Sequence, residues 1–370
     1  MKKTLIALAL AAAGLSAAHA QTVVKIGHAG PLTGPIAHIG KDGENGVRLA
    51  IEDANAKGTT IGGQKVKFEL VSEDDQADPR TATTVAQRLT DAGVKGVVGH
   101  VTSGASIPAS RIYEQAGVPV ITPSSTNPKL TQQGYKVTFR VIANDLQQGA
   151  AMAGYATKLG AKKVAIIDDR TAYGQGLADA FAESLKKEGV QVVGREFTND
   201  KATDFTAILT KIKGKQPDAV FFGGMDAQAA PMLRQMKQLG LGAKFLGGDG
   251  ACTGEMIKLA GDAMSGDAYC TQAGIPMDKM PGGAAFNKRF KEVYKGDVQL
   301  YAPYSYDAAM ALIEAMKAAG SAEPAKYLPA LQKLNMTGVT GKIAFDKNGD
   351  ILDGGVTLYR FQGGKWEALN

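Results

Sequence analysis

Short apolar runs alternate along the chain with longer amphipathic stretches, regularly enough to read as strand–helix pairs. Residues 23–28 predict a strand. Val47, Ala50, Ile51 and Ala54 then fall at i, i+3, i+4 and i+7, one face of a helix. Residues 65–72 alternate as a strand. Asp78 and Pro79 offer an N-cap and first-turn proline to a helix carrying Ala82, Val85, Ala86 and Leu89, closed by Gly93. Residues 97–99 and 118–121 predict strands on either side of a helix through Ile112. The rhythm restarts after Tyr135. A helix over 146–159 leads to a strand at 163–167, and Leu177, Ala180, Phe181 and Leu185 mark a helix ended by Gly189. A strand at 190–197, a helix capped by Thr203, a strand at 219–222, a helix over 232–239 and a strand at 245–247 follow. Such alternation predicts parallel sheets covered by helices on both faces. Two sets of roughly 120 residues suit two doubly wound lobes. The tail differs: helices over 306–319 and 326–334 precede segments 339–346 and 355–362, separated by Lys347-Asn348-Gly349. That pattern predicts a closing antiparallel hairpin.

The N-terminus fixes the expected compartment. Lys2 and Lys3 precede an apolar run over residues 5–15, and Ala18-His19-Ala20 provides the small residues of a cleavage site. Residues 1–20 therefore read as a signal peptide and the mature chain as a periplasmic protein beginning near Gln21. No later run reaches the roughly 18–20 apolar residues that span a bilayer. Losing Lys2 and Lys3 lowers the formal charge from +6 to +4, and the remaining charges are interspersed. With no basic block, nucleic acid is not expected as a partner. Cys252 and Cys270 are the two cysteines. Export to an oxidising space predicts a disulfide between them, the alternative being two buried thiols.

No recognisable catalytic or metal-binding pattern occurs. The mature chain has His28, His38 and His100, none at metal-ligand spacing. Residues 34–41 look like a phosphate loop, but five residues separate the glycines instead of four, and Asp42 stands where a hydroxyl is needed. The Glu73-Asp74-Asp75 run reads as a solvated loop. The expectation is a non-enzymatic protein without cofactor or metal. What stands out is small polar residues just after strands, where open α/β sheets bind ligands. Ser103 follows one strand and opens a helix, so it and nearby N–H groups can hold a carboxylate. Ser124, Ser125 and Thr126 follow another. Tyr173, Met225-Asp226 and Asp249 follow three strands of the second half, and a carboxylate at such a tip can pair with an ammonium. Helix capping is the competing role for each, Asp226 above all. For Asp249, flanked by glycines that allow close backbone approach, the ligand role is favoured.

In this order, these clusters resemble the branched-chain amino-acid-binding family, the periplasmic receptors of ABC importers. The resemblance runs from Val24 to about Phe361. Gly34-Pro35-Ile36-Ala37, residues 99–110, Thr126-Asn127-Pro128, Tyr135, Tyr173-Gly174-Gln175-Gly176, Met232-Leu233-Arg234-Gln235 and Tyr306-Asp307-Ala308 carry it. It implies the type I fold, two α/β lobes joined by a three-crossover hinge. Residues 21–142 and 275–350 would form one lobe, and 143–274 and 351–370 the other. It implies Ser103 and Thr126 on the ligand carboxylate, the Ser124 carbonyl and Asp249 on the ammonium, and Tyr173 closing over both. Ile39 and Met225 replace aromatic walls common in the family, and Ala77 and Thr102 replace a disulfide found in some members. The function implied is capture of a small, branched-chain amino acid by a monomer that docks on an inner-membrane ABC permease. An aromatic amino acid, a small amide or carboxylate, or a role as a sensory module are the other readings within the class. A secreted hydrolase or transferase is the rival outside it.

Overall fold

The computed structural model describes residues 22–369; the predicted signal peptide lies outside them. Strands β1 (Thr22–Gly30), β2 (Thr60–Ile61), β3 (Gln64–Asp74), β4 (Gly96–Gly99), β5 (Val120–Thr122) and β6 (Thr138–Arg140) form one sheet in the order β2-β3-β1-β4-β5-β6. All neighbours are parallel except β2 and β3. Helices α1 (Ala37–Ala56), α2 (Pro79–Asp91) and α3 (Ser103–Ala116) make the crossovers. α2 starts where the sequence places it, because the Asp78 carboxylate accepts from the N–H groups of Arg80 and Thr81.

The chain then enters a second unit. It contains α4 (Asp145–Lys158), β7 (Lys163–Asp168), α5 (Ala172–Lys187), β8 (Gln191–Phe197), α6 (Thr206–Lys213), β9 (Ala219–Gly223), α7 (Asp226–Gln238), β10 (Lys244–Gly247), α8 (Gly254–Ala260) and β11 (Ala268–Gln272). All five residues of β9 are buried, as a central parallel strand covered on both faces requires. The chain returns to the first sheet for α9 (Gly283–Tyr294), α10 (Ala302–Ala319), α11 (Pro324–Gln332) and a small ladder of β12 (Asn335–Thr337) and β13 (Lys342–Ala344). It crosses back to add β14 (Thr357–Gln362) and β15 (Lys365–Ala368), giving the order β15-β14-β11-β10-β9-β7-β8. This is the type I fold with two lobes. Three passages, at residues 141–144, 273–276 and 345–356, join them.

α10 lies against α1 closely enough that a Cβ on Gly46 would sit 2.1 Å from the Ala302 carbonyl oxygen. Only glycine fits there. One apolar core runs from Val24 and Ile26 through Ala308, Leu312 and Met316 to Ile343, so the late helices complete the first lobe. Cys252 and Cys270 form a disulfide that ties the turn after β10 to its neighbour β11.

Four expectations need correction. Glu73-Asp74-Asp75 is not a solvated loop: Glu73 and Asp74 end β3, and Asp75 is fully buried. Residues 339–346 and 355–362 do not form a hairpin. The turn at Lys347–Gly349 exists, with Phe345 bridging Ile351, but β13 pairs with β12 and β14 with β11 and β15. An alternating pattern does not say which sheet a strand joins. Thr203 caps nothing: α6 begins at Thr206 after Phe205, and the Thr203 carbonyl accepts from Gln235. α8, α9, β2, β6, β11, β12 and β15 are additional elements; all are short except α9, which buries Phe286 and Phe290 on one face.

Candidate functional site

Every candidate from the sequence except Ile39, at the N-terminal end of α1, lies just beyond the carboxyl end of a parallel strand. Ser103 opens α3 after β4, and its hydroxyl accepts from the Asn127 N–H at 3.2 Å, joining the loops after β4 and β5. Ser124 donates to the Val101 carbonyl at 2.9 Å. Ser125 turns inward instead, with its hydroxyl on the His100 and Val101 carbonyls and on Ser106, so its side chain serves the loop. The Thr126 hydroxyl is buried beside the Asp145 carboxyl. The β4–α3 loop is pinned from behind, where buried His100 bridges Asp75 at 2.6 Å and the Tyr113 hydroxyl at 3.0 Å.

The second lobe supplies a carboxylate. Asp249 is 1% exposed. Its Oδ1 accepts from the Tyr173 hydroxyl at 2.7 Å and Gln148 Nε2 at 2.9 Å, and its Oδ2 from the Tyr301 hydroxyl at 2.5 Å. Tyr173 also accepts from the Gly250 N–H at 2.9 Å. Burial first, then the Asp249 charge, pushes both tyrosine hydroxyls well above their ordinary range, so they stay donors. Asp145 stands close by. Burial, reinforced by Asp249, pushes its carboxyl up to about 8.

Tyr301 comes from the first lobe, just before α10, and nothing in its local sequence announces it. Its placement follows from buried Asp42 on α1, whose carboxylate accepts from the N–H groups of Gln299, Leu300, Tyr301 and Ala302. Gln148 did leave a signal: a glutamine on the buried stripe of α4 that includes Met152 and Ala156. Ile39, Val101, Thr102, Ser103, Ser124, Tyr173, Met225, Asp249 and Tyr301 enclose one small cavity of about 10 Å³ between the lobes. Thr102, Tyr173 and Met225 also line the wider cleft of about 840 Å³ that opens to the surface. The enclosed space admits about one water. A larger ligand therefore requires the lobes to part or these walls to shift.

Asp226 lies apart from this cavity. It is the first residue of α7, with Met225 in the cap position, and makes no capping bond. Its Oδ2 instead meets His38 Nε2, on α1 of the opposite lobe, at 2.8 Å and accepts from the Thr253 hydroxyl at 2.6 Å. Burial opposes the imidazolium, but the hydrogen bond and charge of Asp226, with Glu255 and Asp42 beyond, outweigh it and raise the His38 pKa. A raised pKa in the closed form means this contact favours closure fully below the ordinary histidine value of about 6.5. The contribution is lost as pH rises through the closed-form value. Ligand affinity is therefore expected to fall, by less than about tenfold, between pH 6 and 8.5. The drop should shrink markedly in His38→Gln, measured by titration calorimetry across that range. An unchanged profile in the variant would remove the role.

Among the described residues no group of His, Cys, Asp and Glu is arranged to hold a metal ion, and no helix is long and apolar enough to cross a membrane. The sequence profile of the periplasmic binding proteins matches residues 23–365. The chain belongs to the periplasmic binding protein family. It is thus a substrate-binding protein and not an enzyme. It is 38% identical over 371 residues to an amino acid binding protein of Pseudomonas aeruginosa, covering 100% of this chain and 98% of that one. It is 35% identical to the leucine-, isoleucine-, valine-, threonine- and alanine-binding protein of the same organism, covering 95% and 94%. The crystal structure of a leucine binding protein from Thermotoga maritima superposes with a TM-score of 0.86 at 33% identity, covering 94% of this chain and 98% of that one. The branched-chain amino acid transporter substrate binding protein of Streptococcus pneumoniae, in complex with isoleucine, gives 0.84 at 30% identity, with the same coverage.

Proposed function

We propose that this binding protein captures a small apolar L-amino acid of the branched-chain type and presents it to an ABC importer. The observation that carries the reading is a single cavity that brings together two unlike groups. They are the Ser103 hydroxyl at the start of α3 and the thrice hydrogen-bonded carboxylate of Asp249. Burying a zwitterion is tolerable only if both charges are fully hydrogen-bonded, and these two groups meet that need. In this reading Ser103 and Thr126 donate to the α-carboxylate, and the Ser124 carbonyl and Asp249 accept from the ammonium. Tyr173 closes the second lobe over them, while Ile39 and Met225 form an apolar side-chain wall. Asp226 acts through the His38 contact and not on the ligand. The names of the leucine- and isoleucine-binding relatives agree with this ligand class.

The lobes, residues 21–142 with 275–350 and 143–274 with 351–370, swing about the three passages. The closed monomer docks on a permease in the inner membrane after cleavage of residues 1–20 places it in the periplasm. Calorimetry on refolded, ligand-free protein with a panel of amino acids tests the reading. Binding of leucine, isoleucine or valine is expected; binding by none of them overturns it.

A further inference from the structure

Thr102 occupies the N-cap position of α3 yet makes no capping bond with its side chain. Its hydroxyl is buried without a hydrogen-bond partner, the residue is 8% exposed, and it lines the enclosed cavity. A threonine at this position ordinarily turns its hydroxyl back onto the helix N–H groups. Leaving a buried hydroxyl unpaired is costly unless something entering the cavity pairs with it.

The geometry also distinguishes which part of a ligand meets it. Ile39, Val101, Ser103, Ser124, Asp249 and Tyr301 border the enclosed cavity alone, whereas Thr102, Tyr173 and Met225 border both it and the wider cleft. Ser103, Ser124 and Asp249, assigned to the two charges, therefore sit at the deep end. Thr102 stands at the outer end, with Met225 of the apolar wall and Tyr173. A ligand whose charged groups occupy the deep end directs its side chain towards this hydroxyl.

We infer that Thr102 is a specificity-determining residue that hydrogen-bonds a polar atom on the ligand side chain. The site then takes hydroxyl-bearing amino acids of threonine size as well as apolar ones. This rests on the amino-acid reading above. Valine and threonine form the decisive pair, since they share shape and differ by a methyl and a hydroxyl. An apolar pocket desolvates the threonine hydroxyl without return; a pocket with Thr102 in its wall restores the bond.

Calorimetry with L-valine and L-threonine on wild type, Thr102→Val and Thr102→Ser tests it. Wild type is expected to bind the two within about tenfold of each other. Thr102→Val should weaken threonine relative to valine by roughly three- to tenfold, the size of one hydrogen bond. Thr102→Ser, which keeps the hydroxyl, should hold the wild-type ratio and serves as the readout should the valine variant not fold. Equal losses for both ligands in Thr102→Val would show that the hydroxyl serves the carboxylate or the loop, and would overturn the inference. So would a wild type that takes valine and rejects threonine, or a serine variant with an altered ratio. A wild type that binds no amino acid overturns the parent reading, and this one with it.

Discussion

Asp249→Ala is expected to weaken leucine binding by about 30-fold or more while leaving the deaminated analogue, 4-methylpentanoate, within a few-fold of wild type. The carboxylate is spent on three donors from both lobes, Tyr173 and Gln148 on Oδ1 and Tyr301 on Oδ2. It retains acceptor capacity for an ammonium, since a carboxylate offers about four sites. Removing one member of a buried charge pair costs about 2–5 kcal/mol, much of it because the other charge is left unpaired. A ligand without an ammonium avoids that penalty. Calorimetry with both ligands measures the difference. Equal losses would mean that Asp249 only shapes the pocket, through the tyrosines it anchors.

The second large effect concerns stability. Arg140 is fully buried where β6 runs into the first passage. Its guanidinium donates to Asp350 Oδ1 through Nε at 2.9 Å and Nη2 at 2.5 Å, to Thr131 through Nη2, and to the carbonyls of Ser125 and Asn127 through Nη1. One side chain thus joins the first and third passages to the backbone on either side of Thr126. Arg140→Met keeps roughly the volume, takes the donor from all four partners and leaves the Asp350 charge without its cation, for an expected loss of about 3–5 kcal/mol in urea unfolding. Asp350→Asn should cost less, because the Asp350 side chain is 22% exposed and water replaces part of the contact. Arg140→Lys should not restore stability, as a single ammonium cannot reproduce the planar fork. A methionine variant within 1 kcal/mol of wild type would refute the clamp.

Much of this architecture is legible in the chain. The stripe of Val47, Ala50, Ile51 and Ala54, the Asp78 cap and the glycines ending helices are local signals, and local physics suffices to place them. The strand ends carrying Ser103, Ser124, Thr126, Tyr173 and Asp249 follow from the same rhythm. What escaped reading depends on contacts between segments distant in sequence. Tyr301 reaches Asp249 only because Asp42, more than 250 positions earlier, gathers the N–H groups around it. Asp226 has the spacing of an N-cap or a ligand group, and only the arrangement of the lobes hands it to His38. The false hairpin has the same origin, since β14 looks no different from a strand that would pair with its sequence neighbour.

The three passages between lobes also bear on when this protein can fold. The first lobe lacks α10, and with it about a quarter of its main core, until residue 319 has emerged. The second leaves the edge of β11 uncovered until β14 arrives at residue 357. Neither half can finish while the chain is still being made, and pairings this far apart in sequence form slowly. Given the export proposed above, late completion suits a chain that crosses a membrane before it folds: the topology that builds the hinge also delays folding.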